Sequence, residues 1–140
     1  MVERSTEEAR QVLFFARQEV SDRGSVAIEP EHILLGIIRQ GKGPAYELLF
    51  EKFELDVNGL STEVESHMER KAPIAESVEV PFSSSAKQIL VAAVKEADRL
   101  RKQEIGPEHL LLGILRVAGS VPASILSKHG VNLGSMRKRL

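Results

Sequence analysis

The chain of 140 residues has no cysteine and no tryptophan, a single tyrosine (Tyr46) and five phenylalanines. Without cysteine there can be no disulfide, thiolate nucleophile, iron–sulfur cluster or cysteine-bound zinc, and the composition fits a reducing compartment. So few aromatics leave no platform for stacking bases or sugars. Charge of one sign is also lacking: 19 basic residues stand against 20 acidic ones, for a net charge of −1. The one basic cluster, Arg137-Lys138-Arg139, suits the end of a terminal helix, so no nucleic-acid partner is expected. Uninterrupted apolar stretches reach only a few residues, too short to span a membrane. The opening Met-Val-Glu-Arg-Ser-Thr has no signal-peptide run. The expectation is a cytoplasmic protein with no membrane partner.

What is present is a globular balance of 42% apolar and 28% charged residues, in a length that suits one domain over residues 1–140. The strongest signal is internal repetition. At an offset of 77, Pro30-Glu31-His32-Ile33-Leu34-Leu35-Gly36-Ile37 falls on Pro107-Glu108-His109-Leu110-Leu111-Leu112-Gly113-Ile114. Ala9, Gln11, Leu13, Ala16 and Glu19 fall on Ala86, Gln88, Leu90, Ala93 and Glu96. Over residues 9–39, fourteen of thirty-one positions are identical, against roughly two by chance at ordinary residue frequencies. The register holds to Leu49 and Leu126, then slips by one. The reading is repeat one at 5–70, a linker at 71–81 and repeat two at 82–140, the halves sharing one core.

Each half reads as helices. Ala9, Val12, Leu13, Ala16 and Val20 recur with helical spacing, as do Ala86, Ile89, Leu90, Ala93 and Ala97. Thr6 and Ser83 are placed as N-caps and Gly24 as a stop. Pro30 and Pro107 suit a first helical position, with Glu31 and Glu108 in the favoured first turn. Gly36 and Gly113 cost about 1 kcal/mol each inside a helix, which predicts a close crossing against Ala16 and Ala93. Third helices are expected near 45–53 and 122–129, fourth helices near 58–70 and from 133 onward. No segment alternates long enough for a sheet. The fold class is all-α, a pseudo-twofold bundle of about eight helices in two four-helix repeats.

Catalytic constellations are missing. His32 and His109 lack the further ligands a metal site needs and are expected to hydrogen-bond nearby backbone. Ser83, Ser84 and Ser85 precede a helix, as capping serines do. Gly41-Lys42-Gly43 lacks the frame of a phosphate-binding loop. No catalytic residue, metal or other cofactor is expected, and ATP-driven work would fall to another chain or region. Glu31 and Glu108 are plain first-turn acids on one reading. On the other, each carboxylate grips a guanidinium, while the helix starts at Thr6 and Ser83 attract a phosphate.

Two copies of Pro-Glu-His-(Ile/Leu)-Leu-Leu-Gly-Ile-(Ile/Leu)-Arg, each after an Ala-x-Gln-(Val/Ile)-Leu helix, resemble the Clp N-terminal domain, above all that of ClpC-type unfoldases. The resemblance covers essentially the whole chain. It implies a pseudo-twofold bundle of eight helices ahead of an ATP-driven unfoldase ring, docking substrate and adaptor proteins bound for a proteolytic partner. It also implies phosphoarginine recognition, with Glu31 and Glu108 as the family's glutamates and Thr6 and Ser83 opening each repeat. The chain carries Glu29-Pro30 and Gly106-Pro107 where the family commonly has Gly-Thr, and Glu29 would repel a nearby phosphate. Phe82-Ser83-Ser84-Ser85 lacks the basic residue often found there. A free-standing docking protein of this fold, with no motor attached, is the alternative function.

Overall fold

The computed structural model describes residues 2–140. After a 3-10 turn at Val2–Arg4, the chain forms α1 (Glu7–Arg23), α2 (Pro30–Gln40), α3 (Pro44–Glu47) and α4 (Val57–Glu65). The second half repeats this as α5 (Ser84–Arg99), α6 (Pro107–Arg116), α7 (Val121–Lys128) and α8 (Leu133–Arg137). There is no strand among the described residues, and the all-α double repeat stands.

The helix ends follow local chemistry. Thr6 Oγ1 accepts the Ala9 amide and Ser83 Oγ the Ala86 amide, both at 3.1 Å. Gly24 closes α1 in the left-handed region, at φ 68°, with its N–H on the Val20 carbonyl. Two elements differ from expectation. The third helix of the first half widens into a π-helical turn over Leu48–Lys52, where the Phe53 amide reaches the Leu48 carbonyl. The fourth helices are shorter than 58–70 and 133–140, ending at Glu65 and Arg137. Beyond Glu65 the chain turns back onto α1: the Lys71 amide donates to the Arg23 carbonyl at 2.9 Å and the Ile74 amide to Ser21 at 3.0 Å. These long-range backbone bonds hold the segment beyond α4 against α1.

Helices α2 and α6 form the centre. Residues 32–37 and 109–115 are buried throughout, because their apolar side chains run round the helix rather than along one stripe. Each packs closely on the first helix of its own half. A Cβ at Gly36 would fall on the Val12 carbonyl oxygen and 3.2 Å from the Ala16 nitrogen; one at Gly113 would meet the Ile89 carbonyl oxygen at 2.6 Å and the Ala93 nitrogen at 3.1 Å. Only glycine lets the two backbones touch, as the repeated glycine predicts.

The halves are tied by two one-residue parallel bridges, Ser5 to Ile105 and Ile28 to Phe82. Adding 77 to Ser5 and Ile28 gives Phe82 and Ile105, so each bridge is the other with the halves exchanged. That exchange is the pseudo-twofold relation. Sequence alternation gave no sign of it, since one bridged residue leaves no period.

Candidate functional site

The bridges decide which helix starts are neighbours. The Thr6 amide donates to the Ile105 carbonyl at 3.0 Å, and the Ile105 amide to Arg4 at 2.8 Å. The start of α1 therefore lies against the start of α6, from the other repeat. Together they line a cavity of about 350 Å³ that includes Thr6, Glu8, Lys42, Pro44, Gly106 and Glu108. The Glu108 carboxylate folds back over Gly106, where a Cβ would overlap Oε1. Lys42 brings a cation to a site that holds two carboxylates.

The equivalent bridge joins the Ser83 amide to the Ile28 carbonyl at 2.9 Å, with the Ile28 amide on Pro81 at 2.8 Å. The start of α5 thus lies beside the lead-in to α2. The Glu31 carboxylate, however, lines a different cavity of about 200 Å³, with Arg23, Ser25, His67, Glu69 and Lys71. Position 29 is glutamate where position 106 is glycine, so Glu31 lacks the open backbone over which Glu108 folds. Burial raises the Glu31 pKa; a hydrogen bond to its own backbone and the His67 charge pull it down, while Glu29 pushes it up. Of the four sequence-predicted residues, the structure brings Thr6 and Glu108 to one cavity and places Glu31 in another.

His32 and His109 hold helix starts together. His32 Nδ1 accepts the Glu29 amide at 2.8 Å and His109 Nδ1 the Gly106 amide at 2.9 Å. An accepting Nδ1 means a neutral ring with its proton on Nε2, and His32 Nε2 can donate it to Ser25 Oγ at 3.2 Å. Burial, helped by the Arg23 charge, lowers the His32 pKa to about 4. Burial lowers His109 as well, against the opposing charge of Glu108. Both rings are backbone partners, and no group of metal-binding residues forms among the described residues.

A feature that sequence reasoning missed is the buried carboxylate of Glu96. Its side chain is 0% exposed, and it accepts bonds from Arg137 (2.6 and 3.1 Å), Arg116 (2.9 Å) and Arg99 (3.4 Å). Burial alone would raise its pKa; the Arg137 and Arg116 hydrogen bonds, with the charges of Arg137 and Arg99, outweigh burial and hold it low. In the first half Glu19 meets Arg23 at 3.3 Å and Arg39 at 3.2 Å. The available signal was an identical glutamate at the same place in both first helices, three residues after the buried alanine. Arg137 of the terminal basic cluster joins this network, and Arg139 lies over the Phe53 ring at 4.5 Å.

The described residues form an all-helical double repeat whose halves are joined by two exchanged lead-in bridges. The sequence matches the Clp repeat (R) N-terminal domain over residues 4–129, and the chain belongs to that family. It is 35% identical over all 140 residues to chloroplastic chaperone protein ClpC1 of Arabidopsis thaliana, spanning 15% of that protein. It is 34% identical over 140 residues to the negative regulator of genetic competence ClpC/MecB of Bacillus subtilis, spanning 17% of it. The chain thus spans about one sixth of the relatives it matches. The solved N-terminal domain of ClpD from A. thaliana superposes with a TM-score of 0.74 at 26% identity, covering 99% of this chain and 93% of that one. No single helix among the described residues is long and apolar enough to cross a membrane. Helices α6 and α7 are apolar together, but they meet at 92° and form part of the core.

Proposed function

We propose that residues 1–140 act as a non-catalytic docking unit of a cytoplasmic Clp-type unfoldase system, receiving substrate and adaptor proteins for an ATP-driven ring that acts in cis or in trans. Membership of the Clp repeat family supports the docking role, and a domain that spans one sixth of its relatives leaves room in them for a motor. Nothing in this reading calls for nucleic acid, a membrane or a cofactor.

The finer proposal is recognition of phosphoarginine-marked proteins. The observation that carries it is the cavity shared by Thr6 and Glu108. There a carboxylate suited to a guanidinium fork stands beside a helix start suited to an anion, with Lys42 at the same cavity. Ser83 and Glu31 are the second pair of the proposal. For them the carboxylate has to swing from the His67 cavity to meet a ligand at the α5 start. Titration calorimetry with phosphoarginine tests this. Wild type should release heat, and Glu31→Ala/Glu108→Ala should abolish it while the fold stays intact. A charged hydrogen bond of this type typically contributes about 1.5–3 kcal/mol, whereas a first-turn acid contributes under about 1 kcal/mol to its helix. No heat from wild type would leave both glutamates as helix-start acids.

A further inference from the structure

The two repeats differ where the outer face of the first helix meets the end of the second. In repeat one a glutamine crosses this face. Gln40 Nε2 donates to the Glu8 carbonyl at 3.0 Å and to Gln11 Oε1 at 3.2 Å, tying the end of α2 to α1. Phe15 is half-buried, with the Arg39 guanidinium 5.4 Å from its ring centre. In repeat two, Ala92 stands where Phe15 does and Val117 where Gln40 does. Neither can make those contacts, and a groove of about 630 Å³ opens between α5 and the end of α6. Its floor is Val91, 55% exposed, with Ala92 and Val117. Lys87 and Lys95 flank that floor, and no acidic residue lines the groove. Arg116 also borders it, but its guanidinium is held by Glu96 at 2.9 Å. The positive charges left to meet a partner are the two lysines.

We infer that this groove docks an acidic amphipathic helix of a partner protein. The inference rests on the docking role proposed above and names a site and a partner chemistry for it. Lys87 and Lys95 are eight residues apart on one face of α5, about 12 Å along the axis at 1.5 Å per residue. A helix lying along α5 meets both with carboxylates seven or eight residues apart and sets an apolar side chain between them on Val91, Ala92 and Val117. A helical guest fits because the walls are helices whose backbone groups are already paired, with no sheet edge to extend. The charges set orientation and partner choice, and the apolar floor supplies the burial.

The test uses the whole chain, labelled with nitrogen-15, and a synthetic helical peptide with two glutamates seven residues apart flanking two leucines. Its counterpart carries lysines in place of the glutamates. The acidic peptide should shift the amides of Ser84, Lys87, Gln88, Val91 and Val117, and the lysine peptide should bind at least about tenfold more weakly. Lys87→Glu/Lys95→Glu, at two exposed positions, should weaken the acidic peptide by about tenfold and favour the lysine peptide. Ala92→Phe, which adds a ring at the floor of the groove, should weaken the acidic peptide. Equal binding of both peptides, no binding, shifts confined to the Gln11–Gln18 face, or indifference to the double lysine variant would each overturn the inference. Phosphoarginine titrated into the same sample separates the two proposals: heat there without groove shifts sinks the groove alone.

Discussion

The amide of Thr6 donates to the carbonyl of Ile105 at 3.0 Å, across the two halves of the molecule. The same bond recurs with the halves exchanged, from Ser83 to Ile28 at 2.9 Å. A ligand held by the start of α1 therefore meets Glu108, whereas one held by the start of α5 is nearer to Glu31. This crossed arrangement makes a prediction about coupling. For phosphoarginine binding, Thr6→Ala and Glu108→Ala should be non-additive, because both act at one cavity. Thr6→Ala and Glu31→Ala should add within about 0.5 kcal/mol, because they act at separate places. Calorimetry on the two double-mutant cycles decides, and the reverse pattern would place the pairs within repeats.

Glycine in a helix interior is ordinarily improved by alanine, by roughly 0.5–1 kcal/mol. At Gly36 and Gly113 the sign should reverse. The new methyl group would land on the carbonyl oxygen of Val12 or Ile89, and the backbone would have to part. Gly36→Ala and Gly113→Ala should each destabilise by roughly 1–3 kcal/mol in urea unfolding. A gain in stability would mean that the helices separate at little cost.

The Glu96 carboxylate holds arginines from α5, α6 and α8 together, fully out of solvent. Glu96→Gln should cost roughly 2–4 kcal/mol, since it removes the charge that a buried network is built around. The three arginines keep partial access to water, which limits the loss. Glu19→Gln should cost less, because Glu19 is 13% exposed and its Arg39 partner lies at the surface. Equal urea midpoints for the two variants would contradict this ranking. The linkage also has a defined sign. The folded Glu96 pKa is lowered, so its contribution is complete above the ordinary carboxylate value of about 4.3. It is lost as pH falls through the lowered folded value.

His32 should make the fold acid-sensitive at a milder pH. Its folded pKa of about 4 lies below the ordinary 6.5, so the unfolded chain takes up the proton first. Stability is fully present above about 6.5 and declines as pH falls from there to about 4, by at most roughly 3 kcal/mol. Proton NMR of the ring should show His32 staying neutral at pH 5.5 (well below the usual range, about 6.5). Titration of His32 near 6.5 would contradict the buried Nδ1 acceptor geometry.

Much of the fold was legible because its determinants are local. Helical spacing at Ala9–Val20 and Ala86–Ala97, capping residues at Thr6 and Ser83, and prolines at 30 and 107 each act within a turn or two of chain. The repeated glycines even announced a helix contact, because a cost kept twice in a helix interior has few other causes. Helix ends at Glu65 and Arg137 were not legible, and beyond α4 the chain bonds backbone to backbone with Arg23 and Ser21, far away in sequence.

The candidate site divides along the same line. Sequence alone determined that Thr6, Glu31, Ser83 and Glu108 stand at helix starts, because the motif sets each residue's place relative to its own first turn. Only the tertiary structure decided that Thr6 shares a cavity with Glu108 and that Glu31 turns towards His67. Those outcomes depend on bridges between residues about a hundred and about fifty positions apart. They depend also on one difference, Glu29 against Gly106, whose effect is steric and arises only after the chain has folded. The open groove on α5 has the same origin. Ala92 and Val117 are unremarkable as letters and matter because, in the folded repeat, they stand where Phe15 and Gln40 stand in the other half.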